Sequence, residues 1–447
     1  MTRTINVIGA GLAGVEAAWC LANFGLCVNL FEARPLWRSP AHKTDLFAEL
    51  VCSNSLKSTE EGHATALLKE EMSALGSLVM DTARRFAVPA GKALAVDRMQ
   101  FSSCITEKIS NHPNIKVIHE EVKALPGGET VISSGPLTSP PLAGHLEGLF
   151  AGFGVGGSLY FYDAIAPIVE ADSVDMGIAF RASRYDVGSK AEGDYLNCPM
   201  NKEEYEAFVA ELLQAGKIKP HGFDDIKCFE GCQPIEVIAE SHVDSLRHGP
   251  MKPMGLEHPK TGKRPYAVVQ LRQEDLHGSI YNLVGFQTRM TYQEQDRVLR
   301  KIPGLLNAKF ARYGSMHRNT YINGPLLLDA GLRLKKMPNV YVAGQLNGVE
   351  GYLESATTGI YAGLVCAREG GVSVPPPTTA IGALVNHVAN ADPNNYQPMK
   401  MMWGIFPQPD GFTSTRKGPK KELRRQMMIE RAVRDFNEWV LPYRPVK

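Results

Sequence analysis

Apolar residues alternate from Ile5 to Ile8 and give way to "GAGLAG", after which "VEAAWCLANFG" carries a helical pattern to Gly25 and "CVNLFEA" a second strand closing on Glu32. The order strand, glycine turn, helix, strand predicts a parallel βαβ unit. Further on, "MQFSSCITEKISNHPNIKVIHEEV" reads as helix then strand, and "GETVISSGPLTS" as a strand ending in a glycine turn. Late in the chain, "MPNVYVAGQLNGVEGYLESATTGIYAGLVCA" predicts a strand, a glycine-rich turn and a helix beginning near Gly351. After the proline run "VPPPTTA" a short helix and a loop rich in Pro, Asn and Met lead to a last helix from Pro419. Its apolar positions Leu423, Met427, Ala432, Phe436 and Val440 fall near one face, with most of Lys420, Lys421, Arg424, Arg425, Arg431 and Arg434 elsewhere.

The glycines Gly9, Gly11 and Gly14, with Ala10, Leu12 and Ala13 between them, match the dinucleotide fingerprint in its required context, and Glu32 stands about 20 residues on. In that role Gly9 permits the tight turn, Gly11 lets the backbone approach a pyrophosphate and Gly14 packs the helix on the sheet. Glu32 accepts hydrogen bonds from a ribose, and the helix N-terminus supplies free N–H groups. A second match, Gly152, Gly154 and Gly157, follows the predicted helix "AGHLEGLFA" and precedes the predicted strand "SLYFYDAIA", so it reads as a loop. With one dinucleotide fold visible, a nicotinamide is expected to visit transiently. In flavoproteins of the glutathione-reductase type a late strand and helix return to the first sheet. The prediction is therefore α/β: a discontinuous Rossmann-like FAD-binding domain made of residues 1–154 and 321–447, with an inserted α/β substrate domain at 155–320.

Composition narrows the picture. Lys plus Arg total 48 against 47 Asp plus Glu, so no global field draws a polyanion and any such partner must meet local patches, for example around Lys252, Lys260, Lys263 and Arg264. No run of 18 apolar residues suggests a membrane span, and the opening "MTRTINVIGAG" leaves no room for a signal peptide, so a cytoplasmic chain is expected. Eight scattered cysteines predict reduced thiols rather than a disulfide framework. Cys20, Cys27, Cys104 and Cys366 fall in helix or strand patterns and read as core. Cys228 and Cys232, four apart, have poor zinc spacing even with His221 nearby, and no metal is expected. Cys52 differs from these, lying among hydroxyls and an amide in "ELVCSNSLKS".

Several separated stretches, among them "NVIGAGLAGVEAAW", "PAHKTDLFAELVCSNSLKS", "VPAGKALAVDR", "DYLNCPM", "GPMKPMGL", "YGSMHRNTYIN" and "GVEGYLESATTG", together resemble the folate- and FAD-dependent tRNA (uracil-5-)-methyltransferases, the TrmFO family. The resemblance runs from Ile5 into the C-terminal helix. A larger group of wobble-uridine modifying flavoproteins shares the fingerprint but carries a C-terminal helical domain that this chain is too short to hold.

The resemblance implies methylation of C5 of a T-loop uridine in tRNA, with 5,10-methylenetetrahydrofolate as carbon donor, FAD as redox group and NAD(P)H as electron source. The same chemistry on ribosomal RNA, or an NADPH-dependent flavin and thiol redox protein, are the alternatives. Uracil C5 is activated when a thiolate adds to C6. The resemblance gives that role to Cys232 of "FEGCQPIE" and a second catalytic role to Cys52, removing the C5 proton or managing the transferred carbon. Cys198 lies in a family motif but reads as structural. For folate, His317 is a candidate for stacking or polar contact beside Arg318, Asn319 and Tyr321, and Arg272 for a carboxylate or phosphate unless it closes a structural ion pair. Gln345 follows Gly344 where many relatives of the glutathione-reductase type have Asp, so backbone near Gly351, Tyr352 and Leu353 is expected to hold the flavin instead. The target uridine is expected to be extruded from its loop.

Overall fold

A computed structural model describes residues 3–156, 159–184, 193–218, 233–409 and 419–444. The first strand, Thr4–Ile8, is flanked in parallel by Cys27–Glu32 and Thr130–Ile132, with Val7 facing both Leu30 and Val131. Ile115–His119 extends the sheet beyond Cys27–Glu32, and the late strand Met337–Val342 extends it on the other side, pairing Tyr341 with Val131. A short antiparallel edge, Arg333–Leu334, completes six strands, so one sheet draws on both ends of the chain as the pattern predicted. The central strand Thr4–Ile8 is buried from Ile5 onward, as a parallel sheet covered on both faces requires, whereas burial in Cys27–Glu32 alternates.

Two of those helices cross over small residues. The fingerprint helix Leu12–Asn23 packs along the late helix Tyr352–Ala367, where a Cβ on Gly359 would meet the Ala13 carbonyl oxygen at 2.1 Å and one on Gly363 the Ala17 oxygen at 3.0 Å. Glycine at both positions lets the backbones touch and brings the two N-termini to one end of the sheet. The first helix stops at Asn23, and Gly25 turns the chain with φ +80°.

The second six-stranded sheet is antiparallel throughout: Phe180–Ala182, Tyr195–Met200, Ala267–Gln273, Ile280–Leu283, Ile168–Glu170 and Phe310–Arg312 in that order. Helix Lys202–Gln214 buries Tyr205, Phe208 and Leu212 in the core of this sheet, which is separate from the core of the first. A two-stranded ribbon, Leu159–Ile165 with Ser315–Tyr321, carries the chain between them. The predicted loop after helix Pro140–Gly152 is present at Gly154, so the second glycine match is no fingerprint; Gly157 lies outside the described residues.

The C-terminal helix Pro419–Val440 corrects one expectation. Its buried face is Met428, Ala432, Phe436, Trp439 and Val440, whereas Leu423 and Met427 are 54% and 38% exposed. The burial follows an i, i+4 line one residue away from the predicted start, because Met428 and not its neighbour faces the first core. Among the described residues no helix is long and apolar enough to cross a membrane.

Two buried carboxyls hold helix starts in the first unit. Glu16 accepts from Ser77, Leu78 and Val79, and Glu71 from the N–H groups of Ala380 and Ile381. Burial raises them to about 7 and about 8 against hydrogen bonds that favour the charged form. Each therefore keeps a proton in the folded chain that the unfolded chain has lost above about pH 4.5, so its contribution to stability falls as pH rises toward 8. His317 and His387, lowered by burial, act in the opposite sense. The readout is thus a difference: Glu71→Gln should lose less thermal stability, or gain more, than the parent between pH 5.5 and 8. Parallel pH curves would show that Glu71 does not titrate there.

Candidate functional site

A cleft of about 1110 Å³, including the solvent at its mouth, opens at the carboxyl ends of the five parallel strands of the first sheet. Its walls include Gly9, Gly11, Leu12 and Ala13 on one side, Glu32 and Arg34 at one end, and Gly344, Gln345, Tyr352 and Val51 at the other. The three glycines differ in duty. Gly9 has φ +95°, and its Cβ would sit 2.7 Å from the Ser133 carbonyl oxygen. At Gly14 a Cβ would lie 1.7 Å from the Gly9 oxygen, so the helix and turn touch there. At Gly11 a Cβ would meet nothing within 4 Å, so the backbone is bare toward the cleft.

No side chain caps the helix that starts at Leu12, and its first-turn N–H groups carry the positive end of the helix dipole. An uncapped helix start beside a bare glycine fits a pyrophosphate. Glu32 is buried; it accepts from the Ala10 N–H at 2.9 Å and from the Arg34 backbone and guanidinium at 3.0 and 2.7 Å. Burial alone would raise its carboxyl, but the Arg34 hydrogen bond and charge outweigh it and hold the group below its ordinary value. Glu32 is thus a fixed anion at the end of the second strand, as a ribose acceptor requires. The late helix also starts uncapped, at Gly351 with φ +116°, where a Cβ would collide with Glu354 and Lys57.

The Cys52 loop explains its own composition. Asn54 is fully buried; its amide donates to Val96 and Gln273 carbonyls at 3.0 and 2.9 Å, and its oxygen accepts from Arg272 Nε at 2.9 Å. Ser53 Oγ accepts from Arg272 Nη2 at 2.8 Å. Tyr352 Oη accepts from the N–H groups of Cys52 at 2.7 Å and Ser53 at 3.3 Å, and donates to Cys52 Sγ at 3.1 Å. The polar residues are there because they wire the loop to its surroundings, Ser53 and Asn54 to the strand that carries Arg272 and Asn54 also to Val96.

Sequence reasoning missed two arginines here. Arg312 donates to the carbonyls of Val51 at 3.0 Å and Cys52 at 3.2 Å, and Arg98 to those of Leu50 and Cys52, the latter at 3.4 Å. Arg98 also pairs with the fully buried Glu274. One signal existed for Arg98: a cation at the first position of a helix opposes the dipole and needs another reason to be there. Arg312 carried none. The side chain of Tyr352, expected to contribute backbone alone, is the third addition.

Arg272 spends Nε and Nη2 on Asn54 and Ser53, which makes it a loop anchor rather than half of an ion pair. His317 lies on the ribbon, half-buried, with Ser315 Oγ 3.0 Å from its Nε2. Burial and the charges of Lys43 and Arg312 lower its pKa, favouring a neutral ring at physiological pH. Cys198 is buried in the second core and burial pushes its thiol up to about 12, in keeping with a structural role. Cys366 is buried as expected, while Cys20, Cys27 and Cys104 are half-buried, Cys20 packing against the first core. Cys228, Cys232 and His221 lie outside the described residues.

Residues 4–370 match the family model "Glucose inhibited division protein A". The chain is 52% identical over 440 residues to the methylenetetrahydrofolate–tRNA-(uracil-5-)-methyltransferase TrmFO of Geotalea daltonii, covering 97% of this chain and 98% of that one. It is 54% identical over 410 residues to the TrmFO of Acetivibrio thermocellus, covering 91% and 92%. Among solved structures, GidA of Aquifex aeolicus superposes with a TM-score of 0.67 at 16% identity, covering 98% of this chain and 73% of that one. That likeness shows the fold. With near full-length identity above one half, the chain belongs to the Glucose inhibited division protein A family and, within it, to the TrmFO family.

Proposed function

We propose that the chain methylates C5 of a uridine in tRNA, taking the carbon from 5,10-methylenetetrahydrofolate with FAD bound in the cleft. The observation that carries this reading is the position of Cys52, hydrogen-bonded to a tyrosine that itself lines the dinucleotide cleft. Residues 1–154 and 321–447 form the FAD-binding domain in this reading, and 155–320 the substrate domain. Gly9 to Gly14 would cradle the pyrophosphate, Glu32 would take a ribose hydroxyl, and backbone at the helix start of Gly351 and Tyr352 would hold the flavin. When bound, FAD supplies the redox and one-carbon transfer chemistry.

The protein's own groups do the rest. Cys232 adds to uracil C6 and makes C5 nucleophilic. Cys52 takes the C5 proton or steadies the carbon in transit, and Tyr352 fixes its sulfur. His317, neutral and beside Arg312, offers a flat face for a pterin. Because the carbon arrives as a methylene group and leaves as a methyl, two electrons must enter, and NAD(P)H is their proposed source. Exposed Lys260, Lys263 and Arg264 are candidates for phosphate contact.

The test incubates the purified protein with folate labelled in its one-carbon unit, NADPH, and tRNA or ribosomal RNA lacking 5-methyluridine. Label should enter tRNA alone. Label confined to ribosomal RNA, or NADPH oxidation with no label in either, would replace this reading. Cys232→Ala should keep FAD and tRNA binding while transfer disappears; near-normal activity would remove Cys232 from its role.

A further inference from the structure

Around the Cys52 loop, three guanidiniums face one carboxylate. Arg98 comes from the helix Arg98–Ser110, Arg272 from the strand Ala267–Gln273, and Arg312 from the strand Phe310–Arg312. Glu274 follows directly on Arg272's strand and is fully buried, with Arg98 as its ion-pair partner. Leu50, Val51 and Cys52 point their carbonyls at Arg98 and Arg312, and all three guanidiniums lie within Coulombic range of the Cys52 sulfur. Lys43 and Arg312 both lie within Coulombic range of His317, and Tyr352 places its hydroxyl on the sulfur. Loop carbonyls alone would not need so many buried cations. Each costs desolvation, which holds Arg312 down to about 10 even beside Glu274. A second anion in the cluster would offset that cost.

We infer that Arg98, Arg272 and Arg312 are positioning residues that hold Cys52 as a thiolate at neutral pH, and that Glu274 limits their field. The excess of two positive charges favours the thiolate over the thiol, while Tyr352 gives the sulfur a hydrogen-bond donor. Burial, followed by the charge of Cys52, raises the Tyr352 phenol well above its ordinary value, so it remains a donor to sulfur and does not compete for the role of anion. The loop is thus anchored both by two strands of the antiparallel sheet, through Arg272 and Arg312, and by two helices of the first unit, through Arg98 and Tyr352. This inference rests on the reading of Cys52 as a reacting thiol for its purpose, but its test reads the thiol itself.

The FAD-loaded protein and its Arg312→Gln, Arg312→Lys and Glu274→Gln variants are treated with iodoacetamide across pH 5 to 10, and modification of the Cys52 peptide is followed by mass spectrometry. The parent should react with a midpoint below the ordinary cysteine value of about 8.5. Arg312→Gln should move that midpoint up by about one unit and slow alkylation at pH 7 several-fold, while Arg312→Lys stays near the parent. Glu274→Gln should move it down; this variant leaves Arg98 without its counter-ion, so the Arg312 pair decides if it fails to fold. An unmoved midpoint in Arg312→Gln, an equal shift in Arg312→Lys, or a parent thiol that reacts only at or above the ordinary value would each overturn the inference. Methyl transfer is assayed in parallel: a shifted thiol with transfer unchanged would fault the role of Cys52 and leave the electrostatics standing.

Discussion

Gly14→Ala should strip the protein of its cofactor and lower its thermal midpoint together, whereas Gly11→Val should lose the cofactor while melting near the parent temperature. The two glycines are three residues apart in one fingerprint, yet they face opposite things. A methyl at Gly14 would stand 1.7 Å from the Gly9 carbonyl in the fingerprint turn and 2.7 Å from Ser133 Oγ, which follows the strand Thr130–Ile132 and donates to that turn. The helix start must move away from the sheet, at a cost of about 3 kcal/mol or more for a packed contact with no room to relax. At Gly11 a side chain enters space that the protein leaves open, so the fold bears no penalty and the pyrophosphate bears all of it. Flavin content after gel filtration and a melting curve in the absence of added cofactor separate the two. If Gly11→Val retained FAD, the pyrophosphate would not run across this helix start.

How much of this was legible in the chain depends on what set each residue's place. The fingerprint was readable because its constraints are local: a tight turn, a bare backbone and a helix–sheet contact all fall within six residues, and glycine satisfies each for a reason that spacing reveals. The return of Met337–Val342 to the first sheet was readable as a pattern too, since a strand, a glycine turn and an uncapped helix repeat the logic of the N-terminus. The arginine cluster was not. Arg98, Arg272 and Arg312 are spread over more than 200 residues and meet only because the ribbon folds the antiparallel sheet against the Cys52 loop. The C-terminal helix shows a subtler limit. Adjacent methionines at 427 and 428 allow two apolar lines, and only the packing of Ala432, Phe436 and Val440 against the first core selects Met428.

The same reasoning about distant anchors leads to Tyr352→Phe, which should reduce methyl transfer by about a hundredfold while FAD content and tRNA affinity stay near normal. The hydroxyl is the meeting point of three groups: it accepts hydrogen bonds from the N–H of Cys52 at 2.7 Å and of Ser53 at 3.3 Å, and donates one to the sulfur at 3.1 Å. Phenylalanine preserves the ring packing and the helix start, so the cleft keeps its shape, but it leaves the Cys52 amide without its acceptor. A part-buried N–H in that condition costs about 1–3 kcal/mol and is relieved by loop movement. Arg98, Arg272 and Arg312 still hold the loop by its carbonyls and by Ser53 and Asn54, so the displacement is of the order of an ångström rather than a collapse, and a shift of that size at a reacting group costs about 10²-fold. Cys52→Ala removes the thiol outright and should fall further. A Tyr352→Phe protein whose kcat matches the parent would mean that the arginines alone position the sulfur and that the tyrosine contributes packing, with the hydroxyl incidental to the chemistry.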